Sequence, residues 1–305
     1  MDFFRHHPLE NANTQLGILT LKPAQSLHAP LICSIETHNF GDHLEYEALS
    51  YVWGSTLQTS TIMLNEKKFS VTRTLEGALR YLRKSSNGRR LWIDTISINQ
   101  NDFKEKNAQV LRIRDIFAGA LEVLIWLGEP DMETEGALRY ITTHYTANED
   151  HDWPDRWDPE FIQNLPCLQK LFSNPWWSRM WTLQEIVVAN FDPIFLCGNV
   201  KCYWSVLHSC AMHLFMLTTH TYIPFNVDME PLIDLGFIAN RWKDRGDRNE
   251  GQKTGVAMNI ENLLITSAAR GATDPRDHIY AILGLLEASE HSITTDYDAQ
   301  IKEIY

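Results

Sequence analysis

Three short apolar runs, each stopped by a polar or glycine-containing turn and separated by helix-patterned sequence, constrain this chain most. Residues 48–54 read Ala-Leu-Ser-Tyr-Val-Trp-Gly, a β-rich run that glycine ends, and Leu91-Trp92-Ile93-Asp94 is a second. The third is Val123-Leu124-Ile125-Trp126-Leu127-Gly128. Between the first two, residues 62–71 pattern as a hairpin, and Thr74 opens a helix with Leu75, Ala78, Leu79 and Leu82 at helical spacing. Before the third, Val110, Ile113, Phe117 and Leu121 mark an amphipathic helix. Strands alternating with helices predict an α/β fold with a parallel sheet flanked by helices. In open sheets of that kind ligands bind outside the carboxyl ends of the strands. The turns at 51–54, 94–100 and 126–129 are therefore the expected site.

Downstream, residues 130–173 hold a helix near 138–144 and an acidic, tryptophan-containing loop at 148–158, read as an insertion or lid over the sheet. Asn174-Pro175 supplies a cap and a proline at the first helical position, predicting one helix through Ala189. On it, Glu185 follows Trp181 by four residues on an otherwise apolar face. Five of the ten tryptophans (Trp153, Trp157, Trp176, Trp177 and Trp181) crowd this region. Residues 193–198 pattern as a fourth strand, and beyond Trp204 the signals turn helical, with a charged, mobile-loop pattern at 243–255. The division expected is an N-terminal segment (1–39), an α/β domain (40–204, insertion about 130–173) and a helical extension (205–305). The chain stops at Ile304-Tyr305 inside a helix-like pattern, as a shortened chain would.

Asp and Glu outnumber Lys and Arg by 39 to 27, a formal charge of −12, which argues against a nucleic-acid groove. No run of eighteen apolar residues predicts a membrane span. Five widely spaced cysteines and a start without a signal-peptide core read as reduced thiols in the cytoplasm. Phosphate-loop, dinucleotide-fingerprint, nucleophile-elbow and zincin motifs are absent. Cys197, Cys202, His208, Cys210 and His213 are close enough to suggest zinc, but they lack knuckle spacing, and buried thiols fit them better. No metal and no required cofactor is expected.

Several polar and aromatic residues have two readings each. Asp94 either binds a ligand at a strand end or caps the following turn. Asn99 and Gln100 read a polar ligand or hold a loop. Trp53-Gly54 stacks on a base or is core plus turn. Glu185 reaches solvent, pairs with a neighbour such as Arg179, or faces a cleft where desolvation raises its pKa.

Taken together, Tyr46-Glu47-Ala48-Leu49-Ser50-Tyr51-Val52-Trp53-Gly54, residues 91–100, Gln109-Val110 through Ile116-Phe117, Trp126-Leu127-Gly128 and Trp176-Trp177-Ser178-Arg179-Met180-Trp181-Thr182-Leu183-Gln184-Glu185 resemble the successive blocks of the fungal heterokaryon incompatibility (HET) domain, in family order. Asp274-Pro275-Arg276-Asp277-His278-Ile279-Tyr280-Ala281-Ile282-Leu283-Gly284-Leu285 and Asp296-Tyr297 resemble a segment that commonly follows it. Ser97 stands where the family usually has cysteine.

The resemblance implies a cell-death effector of non-self recognition, distantly similar to Toll/interleukin-1 receptor (TIR) domains and hence to a flavodoxin-like parallel sheet. It implies self-association and an upstream recognition partner. Trp181-Thr182-Leu183-Gln184-Glu185-Ile186 resembles the TIR pattern that carries the NAD-cleaving glutamate, although 130–173 intervenes here as a long insertion. On that basis NAD is the implied substrate and the implied activity an NAD nucleosidase. Glu185 would be catalytic, with Tyr51, Trp53, Gly54, Asp94, Asn99, Gln100, Arg179 and Trp181 binding the dinucleotide. The alternative is a non-enzymatic assembly module or a nucleotide sensor without turnover.

Overall fold

The computed structural model of the protein describes residues 2–55, 57–147, 153–220, 223–243, 260–286 and 293–298. In chain order come β1 (Gln15–Leu21), β2 (Ile32–Asn39), β3 (Glu47–Tyr51), β4 (Thr59–Leu64), β5 (Lys67–Thr72), α1 (Arg73–Leu82) and β6 (Arg89–Trp92). Then follow α2 (Asp94–Ser97), α3 (Phe103–Val110), α4 (Ile113–Gly119), β7 (Glu122–Gly128), α5 (Met132–His144) and α6 (Pro159–Phe172). A 3-10 turn (Pro175–Ser178) leads to α7 (Thr182–Val187), β8 (Ile194–Cys197) and β9 (Val200–Tyr203). Among the described residues there follow α8 (Trp204–His220), α9 (Glu230–Lys243), α10 (Ile260–Ser267) and α11 (Asp277–Leu283).

The fold is α/β, but its sheet is mixed rather than parallel: nine strands in the order β5-β4-β2-β1-β6-β3-β7-β8-β9. Among the described strands, β2 pairs in parallel with β4, and apart from them β6, β3, β7 and β8 form one block of parallel neighbours. In chain order these four are the second, first, third and fourth, so the connections reverse direction between β3 and β7. The expected N-terminal segment supplies β1 and β2, an antiparallel pair that docks β1 against β6. Its apolar run, with Leu16, Ile18, Leu19 and Leu21 all buried, covers what would otherwise be an exposed sheet edge.

Continuous apolar strands need both faces covered. Along β7, Val123 and Ile125 enter one core and Leu124 and Trp126 the other. The smaller core is closed by Leu75, Ala78, Leu79 and Leu82 of α1, whose N-cap is Thr72 rather than Thr74 as its opening residue. The larger takes the helices from α3 onward.

Two expectations about residues 130–189 are corrected. The helical parts of the presumed lid are core: Leu138, Ile141, Phe161, Leu165 and Leu168 are buried in the larger cluster. Trp153 packs there too, stacked on His213 with centroids 5.0 Å apart and its indole N–H on Ser209, whereas Trp157 is exposed. Residues 148–152 and 244–255, parts of the two expected loops, and the chain end at 304–305 lie outside the described residues. The single helix predicted from Asn174 to Ala189 is broken. Asn174 does cap, accepting from the Trp176 amide at 2.9 Å, but Arg179 leaves helical geometry at φ −78°, ψ 140°. The cause is tertiary: Gly271 N–H donates to the Ser178 carbonyl (2.6 Å) and the Met180 N–H to the Gly271 carbonyl (2.9 Å). That short bridge pulls the backbone out before the helix restarts at Thr182.

Candidate functional site

Ser50 on β3 lies at the middle of the site. A serine in a buried strand has to find a partner for its hydroxyl, because an unpaired one costs about 1–3 kcal/mol. Here the Trp176 indole N–H donates to Ser50 Oγ at 2.7 Å, which leaves the hydroxyl proton for Glu185 Oε2, in a short hydrogen bond. Trp176 is wholly buried and Glu185 is 6% exposed. The carboxylate of α7 is thus aimed at the first parallel strand by a tryptophan–serine relay.

Arg179, in the extended link before α7, donates to the backbone carbonyl of Tyr51 at the end of β3. Its guanidinium acts electrostatically on both Glu185 and Asp94, without a direct ion pair to either among the described residues. Burial raises the pKa of Glu185, and the negative charge of Asp94 pushes it the same way; Arg179 and the Ser50 hydroxyl oppose them without cancelling the rise. Asp94 is also raised, by burial first, against Arg179, the Trp53 indole and the Thr95 amide. Two carboxyls that share one guanidinium, each holding its proton more tightly than a free carboxyl, mark a place where charge is kept scarce.

Trp53 donates to Asp94 Oδ2 at 2.8 Å and leaves 39% of its surface open. Asp94 Oδ1 accepts from the amide of its immediate neighbour Thr95 at 2.7 Å, but α2 begins at Asp94 itself after Ile93 and has no side-chain cap, so the turn-capping reading is not met. Tyr51 is buried, its hydroxyl 2.7 Å from Thr95 Oγ1, and burial lifts its pKa well above the usual phenol value. Gly54 has φ +72°, and a Cβ there would come within 2.5 Å of Thr74 Oγ1, so the turn requires glycine.

Other predicted site residues serve their own loops. Gln100 Nε2 donates to the Asp94 carbonyl (3.0 Å), while the Asn99 amide donates to Glu105 and its side-chain oxygen accepts from Asn101 N–H. Trp181 lies one turn before Glu185, but its indole acts on the Asp277 carboxyl, whereas Trp176 reaches Ser50, the partner of the glutamate. Sequence reasoning missed Ser50 and the role of Trp176. The available signal was a serine within the otherwise apolar and aromatic run Ala48-Leu49-Ser50-Tyr51.

Beside this group a cleft of about 340 Å³ opens where the strand order reverses, between Val52 after β3, Arg73 and Thr74 at the start of α1, and Trp126, Gly128 and Glu129 at the end of β7. Its lining does not include Glu185, Asp94 or Trp53. Farther off, burial pushes the Cys197 and Cys202 thiols up to about 11 and Cys210 higher still, and pulls His208 and His213 down to about 4. Among the described residues no group of three or more His, Cys, Asp or Glu is placed to hold a metal ion. No helix among them is long and apolar enough to cross a membrane.

The family described as Heterokaryon incompatibility protein (HET) matches residues 46–185, a stretch that contains every predicted site residue and ends on Glu185. Heterokaryon incompatibility protein 6, OR allele, of Neurospora crassa is 30% identical over 348 aligned residues, covering 95% of this chain and 50% of that protein. The chain therefore spans about half the length of the curated relative it matches. No solved structure matches. From the ordered blocks and from these similarities, the chain belongs to the heterokaryon incompatibility family, with the family's domain over residues 46–185.

Proposed function

We propose that the protein is a cell-death effector of non-self recognition that acts in the cytoplasm by cleaving NAD at the nicotinamide–ribose bond through Glu185. The relative's name supports the incompatibility role. The strand order second-first-third-fourth in the parallel block supports a flavodoxin-like, TIR-like core, since that is the order in which such folds place their ligand crevice. Five free cysteines suit a reducing compartment. The observation that carries the catalytic reading is the buried Glu185 carboxyl, oriented by Ser50 and Trp176, beside Arg179 and Asp94 at the strand ends.

The chemistry needs little else. Nicotinamide in NAD is a cationic leaving group: when the C1′–N1 bond breaks, the electron pair departs with nicotinamide as a neutral molecule. No general acid is required, in contrast to ordinary glycosides, which use a carboxyl pair. A single carboxylate, Glu185, stabilises the oxocarbenium ion at C1′, where it is worth most in a site from which water is excluded. Water then adds to C1′ and gives up a proton, leaving ADP-ribose. Asp94 binds ribose hydroxyls, Arg179 holds a phosphate or orients Glu185, and the open face of Trp53 stacks on a base.

A second reading, nucleotide sensing without turnover, is favoured by the cleft at the start of α1, which excludes Glu185. One assay separates the two: purified protein incubated with NAD, free nicotinamide followed over time, wild type against Glu185→Ala and Glu185→Gln. Release by wild type and by neither folded variant is expected. Thermal stabilisation by NAD or ADP-ribose with no nicotinamide released, even in the self-associated state, would establish the sensor instead. Equal release by all three proteins would remove Glu185 from the chemistry.

A further inference from the structure

The link between the 3-10 turn and α7 places both Arg179 and Glu185, yet it has little to fix it locally. The broken stretch 178–182 lacks a continuous helical ladder, and α7 spans only Thr182–Val187. What fixes it comes from far along the chain. Arg270 is 3% exposed, and one terminal nitrogen of its guanidinium donates to the Trp177 carbonyl (2.9 Å), to Thr182 Oγ1 (2.9 Å) and, more weakly, to the Arg179 carbonyl (3.4 Å). The other terminal nitrogen donates to the Pro231 carbonyl just inside α9 at 2.7 Å. Thr182 in turn donates its hydroxyl to the Arg179 carbonyl at 2.6 Å. The adjacent Gly271 pairs through its backbone with Ser178 and Met180.

We infer that Arg270 is a positioning residue for Glu185: its planar fork ties the carbonyls on both sides of the Arg179 link to the first residue of α7 and to α9, and so sets where the glutamate points. This rests on the proposed role of Glu185 and adds to it, because Arg270 lies outside the matched family domain, which ends at Glu185 itself. The role calls for a guanidinium specifically. Lysine carries the same charge, but its three donors on one nitrogen do not span carbonyls on two elements as a flat fork does. Carbonyl acceptors, with no carboxylate among the described residues within ion-pair distance, also suit a cation that serves geometry rather than charge neutralisation; Asp234 acts on it only at longer range.

The test uses the full chain with Arg270→Lys and, as a milder change, Thr182→Val, which deletes one acceptor of the fork and leaves the arginine in place. Two readouts are taken: nicotinamide release resolved into kcat and KM, and amide hydrogen exchange peptide by peptide. The expected result is a kcat lower by roughly 10- to 100-fold for Arg270→Lys, the scale on which an ångström of misplacement acts, with KM nearly unchanged. Thr182→Val should fall in between. Exchange should quicken across 178–187 while β3 and β7 keep wild-type protection. Wild-type kcat and wild-type exchange in both variants would overturn the inference. So would exchange that quickens equally in the sheet, since that reports a general loss of structure. If Arg270→Lys does not fold, Thr182→Val alone decides by the same criteria. If the wild-type protein releases no nicotinamide, the NAD reading fails, and the exchange pattern by itself upholds or overturns the positioning by Arg270.

Discussion

Ser50→Ala tests the relay at the centre of the site. The substitution removes one oxygen and leaves two buried groups without their partner: the Trp176 indole N–H, which donates to that oxygen at 2.7 Å, and Glu185 Oε2, which accepts its proton. An orphaned neutral donor costs about 1–3 kcal/mol, and a hydrogen bond to a charged group contributes about 1.5–3 kcal/mol. Glu185 can relieve part of its loss by holding a proton to higher pH, so a net destabilisation of roughly 2–4 kcal/mol is expected. With an unfolding entropy of about 2.1 cal/mol/K per residue, a chain of 305 residues loses on the order of 1.5 °C in Tm per kcal/mol, hence about 3–6 °C. The assay is thermal and urea unfolding of wild type, Ser50→Ala, Glu185→Gln and the double variant. The double-mutant cycle should return a coupling of at least about 1 kcal/mol between positions 50 and 185. Additive effects, or a Ser50→Ala protein within about 0.5 kcal/mol of wild type, would refute the relay and with it the reason given for the orientation of Glu185.

Burial raises the pKa of Glu185 in the folded state, so the group's favourable share of stability is fully present below the ordinary carboxylate value and is lost as pH rises through the raised one. Glu185→Gln should therefore gain on wild type with increasing pH across that window, read as the difference in urea midpoints; a difference that is flat with pH would count against the raised pKa. Gly54→Ala must hold φ near +72° with its methyl 2.5 Å from Thr74 Oγ1, so a loss of about 1–3 kcal/mol is expected, together with a changed fluorescence of Trp53; a variant as stable as wild type would show the turn to be adaptable.

The strand ends were legible because they depend on local chemistry. The apolar run to Gly54, Leu91 to Asp94 and the run into Gly128 each carry their own stop, and β3, β6 and β7 lie on them. The Asn174 cap was legible for the same reason: its bond reaches only to Trp176. What failed was everything set by distant pairing. Nothing within residues 174–189 announces a break at Arg179, because the groups that cause it belong to Gly271 and Arg270. Residues 15–39 carry apolar sequence whose strand character becomes plain only when β1 is seen covering β6.

The sequence by itself determined the family, through the order of its motif blocks, and the α/β alternation and the strand ends near Tyr51, Asp94 and Gly128, because periodicity and turn chemistry are local. Only the tertiary structure decided that the sheet is mixed, that the helices of 130–173 are core, and that the Glu185 carboxyl meets Ser50, which Trp176 also holds. The last of these turns on which buried donor finds which acceptor across more than a hundred residues of chain. That choice is made by the packed interior as a whole, where leaving a polar group unpartnered costs about 1–3 kcal/mol.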